Sequence, residues 1–101
     1  MAVRLEELAI EESLKKIPGW GRHGQEIKKQ FQCYNFQMAL RFVNQIGKVA
    51  ESMDHHPDIL IHSYRLVTLS VTTHSAGGLT RLDFDLAQKI EREFQNLTTT
   101  P

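Results

Sequence analysis

Residues 35–53 read NFQMALRFVNQIGKVAESM. Within them Ala39, Phe42, Val43, Ile46, Val49, Ala50 and Met53 recur at the three- and four-residue steps that bring side chains to one face of a helix. Asn35 stands where an N-cap is needed, because its side-chain oxygen can take up a free N–H of the first turn. The spacing predicts an amphipathic helix over residues 36–53, and such a helix needs an apolar surface to cover.

The flanking segments supply that surface. On the N-terminal side, Ile27, Phe31 and Cys33 alternate with Lys28, Gln30 and Gln32 over residues 27–34, the period-two pattern of a strand with one buried face. A shorter strand over 20–23, turning at Gly24, pairs with it as a hairpin. Earlier still, Leu5, Leu8, Ala9, Leu14 and Ile17 recur at mostly helical intervals until Pro18-Gly19 stops the run, which predicts a first helix over 4–16.

On the C-terminal side, Pro57 disfavours helix at the residue before it. Ile59-Leu60-Ile61 reads as a short strand, and Val67, Leu69 and Val71 alternate with Thr68, Ser70 and Thr72 in another. Residues 62–65 leave room only for a tight connection, so these two strands form an antiparallel hairpin. Gly77-Gly78 breaks the chain, and Thr80 with Asp83 offers a short-armed capping box. Asp83, Leu86, Ala87, Ile90, Phe94 and Leu97 then mark a last helix ahead of a frayed TTTP tail. The order helix-strand-strand-helix-strand-strand-helix defines an α+β fold, a four-stranded antiparallel sheet with three helices packed on one face. It forms a single domain over residues 1–101, with its core between about 5 and 95, and the repeated strand-strand-helix order suggests pseudo-symmetry.

Composition narrows the function. The 101 residues carry 12 Lys and Arg against 12 Asp and Glu, so the chain lacks the basic excess of a dedicated nucleic-acid binder. Hydrophobic residues at 41% and charged residues at 24% suit one folded core and exclude a disordered or repeat-built chain. No apolar run approaches the roughly 18 residues of a membrane span, and MAVRLEELAIEESLKK is too acidic for a secretory signal. The expectation is a cytoplasmic protein without membrane or direct nucleic-acid contacts. Cys33, the single cysteine, allows neither an intrachain disulfide nor a thiolate zinc site, and in a strand pattern it reads as a core residue.

Chemistry concentrates in the histidines. Of five, His55, His56, His62 and His74 fall within twenty positions, while His23 stands apart. Imidazole titrates near neutral pH, so such a cluster can carry protons both ways or bind a metal. The chain has no helical i, i+4 histidine pair with an acid, no glycine-rich phosphate loop and no Gly-x-Ser-x-Gly elbow. Glu51 lies four residues before His55, within reach if the helix continues that far, Asp54 adjoins the pair, and Asp83 opens the last helix. Each also has a structural reading: Glu51 and Asp54 as solvated helix-end residues, Asp83 as a partner of its helix N-terminus.

The stretch Glu51-Ser-Met-Asp-His55-His56-Pro57, followed by Tyr64, His74 and Asp83, resembles the pterin-4a-carbinolamine dehydratases. So do Ile17-Pro18-Gly19-Trp20, Phe42-Val43 with Ala50-Glu51, and Thr73-His74-Ser75-Ala76-Gly77-Gly78-Leu79-Thr80, and the resemblance covers about residues 5–95. In one departure, the position of the family's aromatic after the proline is met by Ser63, with Tyr64 one place later, so a one-residue insertion lengthens the hairpin turn or adds a bulge. His62 lies outside the family pattern and reads as an exposed turn residue, and Trp20 reads as packing rather than pterin stacking.

The resemblance implies dehydration of a 4a-hydroxytetrahydropterin to quinonoid dihydropterin and water, with neither metal nor cofactor, recycling the pterin of an aromatic amino acid hydroxylase. It further implies His55 and His74 as the acid-base pair, with the assignment of acid and base left open, and His56 as a pterin-binding residue. Glu51 would orient His55, while Asp54, Pro57 and Asp83 would shape the pocket or contact the ring. Family members are dimers or tetramers, so a homodimer or homotetramer is expected. Animal relatives also serve as dimerisation cofactors for a homeodomain transcription factor, which keeps a protein-binding coactivator role open beside catalysis. A small metal-binding protein is a third reading.

Overall fold

The helix read over 36–53 forms with those bounds. This computed structural model describes residues 2–99. α2 spans Phe36–Met53, and Asn35 Oδ1 accepts from the Met38 N–H at 2.8 Å to cap it. Around it lie α1 (Glu7–Leu14), β1 (Gly21–His23), β2 (Glu26–Gln32), β3 (Asp58–His62), β4 (Leu66–Val71) and α3 (Arg81–Thr99), the expected order. The strands make one antiparallel sheet in the order β1-β2-β4-β3. Each hairpin is local; the seam between β2 and β4 joins them, with Ile27 opposite Val71 and Gln32 opposite Leu66. This arrangement places one strand pair on either side of the seam, matching the repeated strand-strand-helix order.

Ile27, Phe31, Val67, Leu69 and Val71 are buried with Phe42 and Ile46 of α2 and Leu86 and Ile90 of α3. Each fully buried side chain of this size contributes about 1.5–3 kcal/mol. Phe31, Phe42 and Phe94 meet ring to ring at 4.9–5.1 Å, which ties β2, α2 and α3 at one point. Trp20 packs edge-on against Phe31 at 6.0 Å, and its Nε1–H donates to Glu91 Oε1 at 3.0 Å. The same carboxylate takes the Lys29 ammonium, whose Nζ also donates to Pro18 O at 3.3 Å.

Several expectations change. α1 is shorter than 4–16, and its buried residue is Ile10, whereas Leu8 and Ala9 are exposed. The reason is Leu5, which lies ahead of the helix and donates its N–H to Leu79 O at 2.8 Å, so it does not share the helical face. The extra residue before Tyr64 is absorbed in the β3–β4 turn, where Ser63 and Tyr64 both take left-handed backbone (φ 50° and 54°). Tyr64 is 63% exposed there, at the end of β4 away from His74. His62 is the last residue of β3 rather than an exposed turn residue; it is half-buried, with Nε2 3.0 Å from Thr68 Oγ1. α3 continues through Thr98 and Thr99, whose hydroxyls donate to the Phe94 and Gln95 carbonyls, so this part of the tail is helical. The rest of the expected frayed tail, residues 100–101, lies outside the described residues.

Candidate active site

α2 ends in a Schellman motif. Asp54 takes left-handed backbone (φ 51°) and donates its N–H to Glu51 O, and the His55 N–H reaches back to Ala50 O at 3.1 Å. This turn sends the two histidines into different surroundings. His55 is 9% exposed, with Nε2 2.7 Å from Asp83 Oδ1. His56 stands outside, its side chain 54% exposed, with Nε2 2.5 Å from Glu51 Oε2. The four-residue spacing had paired Glu51 with His55; the helix stops at Met53, so Glu51 instead orients His56, and Asp83 orients His55.

Asp83 is 0% exposed. Its Oδ2 accepts from the Thr80 N–H and the Thr73 hydroxyl, each at 2.8 Å. Thr80 Oγ1 in turn accepts from the Leu82 N–H at 3.2 Å, which completes the capping box read from the sequence. Because a carboxylate only accepts, the directions follow: Thr80 donates to Thr73, Thr73 donates to Asp83, and His55 carries its proton on Nε2. Nδ1 is thereby the His55 nitrogen left for a ligand. Burial closes Asp83 off among these partners, and within the site its visible contact is with His55.

Thr73 lies two residues beyond β4, bridged to Gly78, and His74 opens a 3-10 turn over His74–Ala76 that Gly77 closes with φ 72°. His74 is exposed and lines a pocket of about 340 Å³ with His23, Gln25, Glu26, Thr72, Gly77 and Gly78. Asp58 pairs with Ser70, so the half-buried Pro57 and the two histidines before it lead into the sheet beside Thr72 and Thr73. Asp54 is exposed, and its visible role is its backbone conformation. No group of three or more His, Cys, Asp or Glu is arranged to hold a metal ion among the described residues.

Two carboxylates, Glu51 and Asp54, sit at the negative end of α2, which has no basic residue in its last turn. That concentration of negative charge favours a cationic group of a ligand beside it. Sequence reading missed Thr73 as the link between His55 and His74, and it left His23, Glu26 and Thr72 outside the site. The Thr80-Asp83 box was the available signal for the first; the second needs the β2–β4 register, which no local pattern prints.

A helix-backed antiparallel sheet with two imidazoles held by carboxylates at one end defines the class, a small α+β domain. The profile of the family described as pterin 4 alpha carbinolamine dehydratase matches residues 3–93, and the chain belongs to that family. It is 53% identical over 91 residues to a protein from Roseiflexus sp. (strain RS-1) provisionally named a pterin-4-alpha-carbinolamine dehydratase, covering 90% of this chain and 97% of that one. A relative from Sulfurisphaera tokodaii with the same provisional name is 44% identical, over 87% of this chain and 94% of its own. Among solved structures, the transcriptional coactivator/pterin dehydratase from Brucella melitensis superposes with a TM-score of 0.84 at 33% identity, covering 89% of this chain and 97% of that one. A pterin dehydratase-like protein identified as a RuBisCO assembly factor in the alpha-carboxysome shares the fold at a TM-score of 0.63 and 15% identity, over 74% of this chain and 88% of its own. No helix among the described residues is long and apolar enough to cross a membrane.

Proposed function

We propose that this protein is an enzyme that dehydrates 4a-hydroxytetrahydrobiopterin or a close 4a-hydroxytetrahydropterin to quinonoid dihydropterin and water, returning pterin to an aromatic amino acid hydroxylase. Family membership supports the substrate class, and the observation that carries the chemistry is the His55–Asp83 pair, fastened to Thr73, the residue beside His74. Hydroxide leaves C4a readily only as water, so one imidazolium protonates it while the N5 lone pair pushes, and one neutral imidazole takes the N5 proton. Such transfers are each worth about 10²–10⁴-fold in rate. His55 and His74 are the pair. Asp83 keeps His55 in one tautomer, and His56, braced by Glu51, binds the ring. The positive charge that grows on the pterin is met by the carboxylates Glu51 and Asp54 at the end of α2.

Stopped-flow absorbance with fresh 4a-hydroxytetrahydropterin tests this, comparing the wild type with His55→Ala and His74→Ala at neutral pH. The catalysed rate falls at least 100-fold in each variant; rates within twofold of wild type in both refute the assignment.

A protein-binding role is favoured by a separate observation, the exposed Tyr34, Phe36 and Leu40 at the start of α2. If it is the main role, a partner captured from the native host is retained by a His55→Ala/His74→Ala double variant. The same small domain leaves β3 as a sheet edge with Ile59 and Leu60 exposed, Leu60 at 57%, and a homodimer or homotetramer would cover such surfaces. Light scattering gives the subunit count.

A further inference from the structure

We propose that the β1–β2 hairpin forms a substrate-reading wall of the His74 pocket, and that Glu26 holds the 2-amino, N3–H edge of the pterin ring. The ligand class rests on the dehydratase reading; the wall rests on the geometry. The pocket's lining contains one carboxylate, Glu26, among imidazoles, an amide, a hydroxyl and two glycines. A pterin presents two parallel N–H donors along its pyrimidine edge, and a carboxylate accepts both at once in the planar arrangement it forms with guanidinium groups. Lys28 Nζ stands 3.7 Å from Glu26 Oε1, beyond hydrogen-bond length, so the carboxylate keeps its acceptor capacity for a ligand.

Register sets the direction. Ile27 is buried against the helices, so its neighbour Glu26 points to the other face of the sheet, paired across the hairpin with His23. Two contacts fix this hairpin against the loop that carries His74. Thr72 Oγ1 donates to Gln25 O at 2.5 Å, and the Gln25 side chain lies so close over Gly78 that a Cβ there would come within 2.7 Å of its Oε1. The wall is therefore held from β4 and from the loop together. A pyrimidine edge seated on Glu26 leaves the pyrazine ring, with C4a and N5, toward His74. The pocket's volume, about 340 Å³, lies at the small end of ligand sites, as suits a bicyclic ring.

The test compares Glu26→Gln with wild type and a Lys28→Ala control, by steady-state dehydration and by calorimetric binding of 7,8-dihydropterin and its 2-oxo analogue. Glu26→Gln raises KM and Kd about 10- to 100-fold, the loss expected for a charge-assisted hydrogen-bond pair, while kcat stays within threefold. It also erases the wild-type preference for the 2-amino ring, and Lys28→Ala does neither. KM and Kd within twofold of wild type in Glu26→Gln overturn the proposal and leave the dehydratase reading standing. Wild-type protein that binds the dihydropterin without dehydrating substrate, and loses that binding in Glu26→Gln, refutes the dehydratase reading and sustains the wall. Folded wild-type protein that binds no pterin overturns both.

Discussion

Replacing Asp83 by Asn changes one atom type in a fully buried side chain and puts three hydrogen bonds in conflict. Asp83 accepts from His55 Nε2 at 2.7 Å and from the Thr73 hydroxyl and Thr80 N–H at 2.8 Å. An amide offers one acceptor and one donor group in the same space. If its NH2 faces Thr73 and Thr80, it meets two donors; if it faces His55, it must find Nε2 without a proton, and His55 is driven to the Nδ1–H tautomer. The second arrangement costs less. Hydrogen bonds to charged groups are worth about 1.5–3 kcal/mol against about 0.5–1.5 for neutral ones, so each contact loses about 1 kcal/mol and the three together about 3 kcal/mol. That is a large share of the roughly 5–15 kcal/mol by which a domain is stable. Urea unfolding of Asp83→Asn shows a lowered midpoint at unchanged slope, and nitrogen NMR reads the His55 proton on Nδ1 instead of Nε2. Dehydration falls about 100-fold or more, because the nitrogen that faced the ligand has exchanged its role. A stability change under 1 kcal/mol with the Nε2–H tautomer retained refutes the reasoning.

Asp54 separates backbone from charge: Asp54→Gly stays within about 0.5 kcal/mol of wild type, because relief of the left-handed backbone offsets the added freedom of the unfolded chain, whereas Asp54→Val loses about 1–2 kcal/mol by urea unfolding. Burial pushes the Cys33 thiol up, so at pH 8 it reacts with a disulfide reagent far more slowly than a free cysteine until denaturant is added, and rapid labelling of folded protein contradicts its place in the core. Glu7 accepts hydrogen bonds from the Arg22 guanidinium, which hold its carboxyl below the ordinary carboxylate value. The tie between α1 and β1 is therefore complete above that ordinary value and is lost as pH falls through the depressed one; carboxyl NMR titration shows a shifted Glu7 transition that Arg22→Ala restores.

What the sequence disclosed follows from the range of the forces involved. α2 is legible to the residue because its period and its Asn35 cap are local, and both hairpins are legible because a tight connection leaves no other pairing. α1 is misjudged in extent because Leu5 belongs to a contact with Leu79, at the far end of the chain. Lys29 sits in an alternating strand where one expects a solvent-facing charge, yet its ammonium meets Glu91 and the Pro18 carbonyl under Trp20. At the site, the histidines and carboxylates are visible as types, but their partnerships are exchanged. Spacing favoured Glu51 with His55, and the left-handed residue that breaks this pairing is an aspartate, where a glycine would have signalled the stop. Thr80-Asp83 was readable as a cap, while its second task, holding His55, depends on the docking of α3 beside the end of α2.

That dual use has a consequence for how the protein comes to life. The hairpins can close early, each from neighbouring segments, but the β2–β4 seam must wait for the whole of α2 to be spanned, and the Asp83 carboxylate arrives only with α3. A chain caught with its sheet formed and its last helix adrift holds every side chain of the site but not the contact between Asp83 and His55. On the proposed dehydratase reading, pterin turnover followed during refolding is a clock for the final step of assembly, silent until the fold is finished.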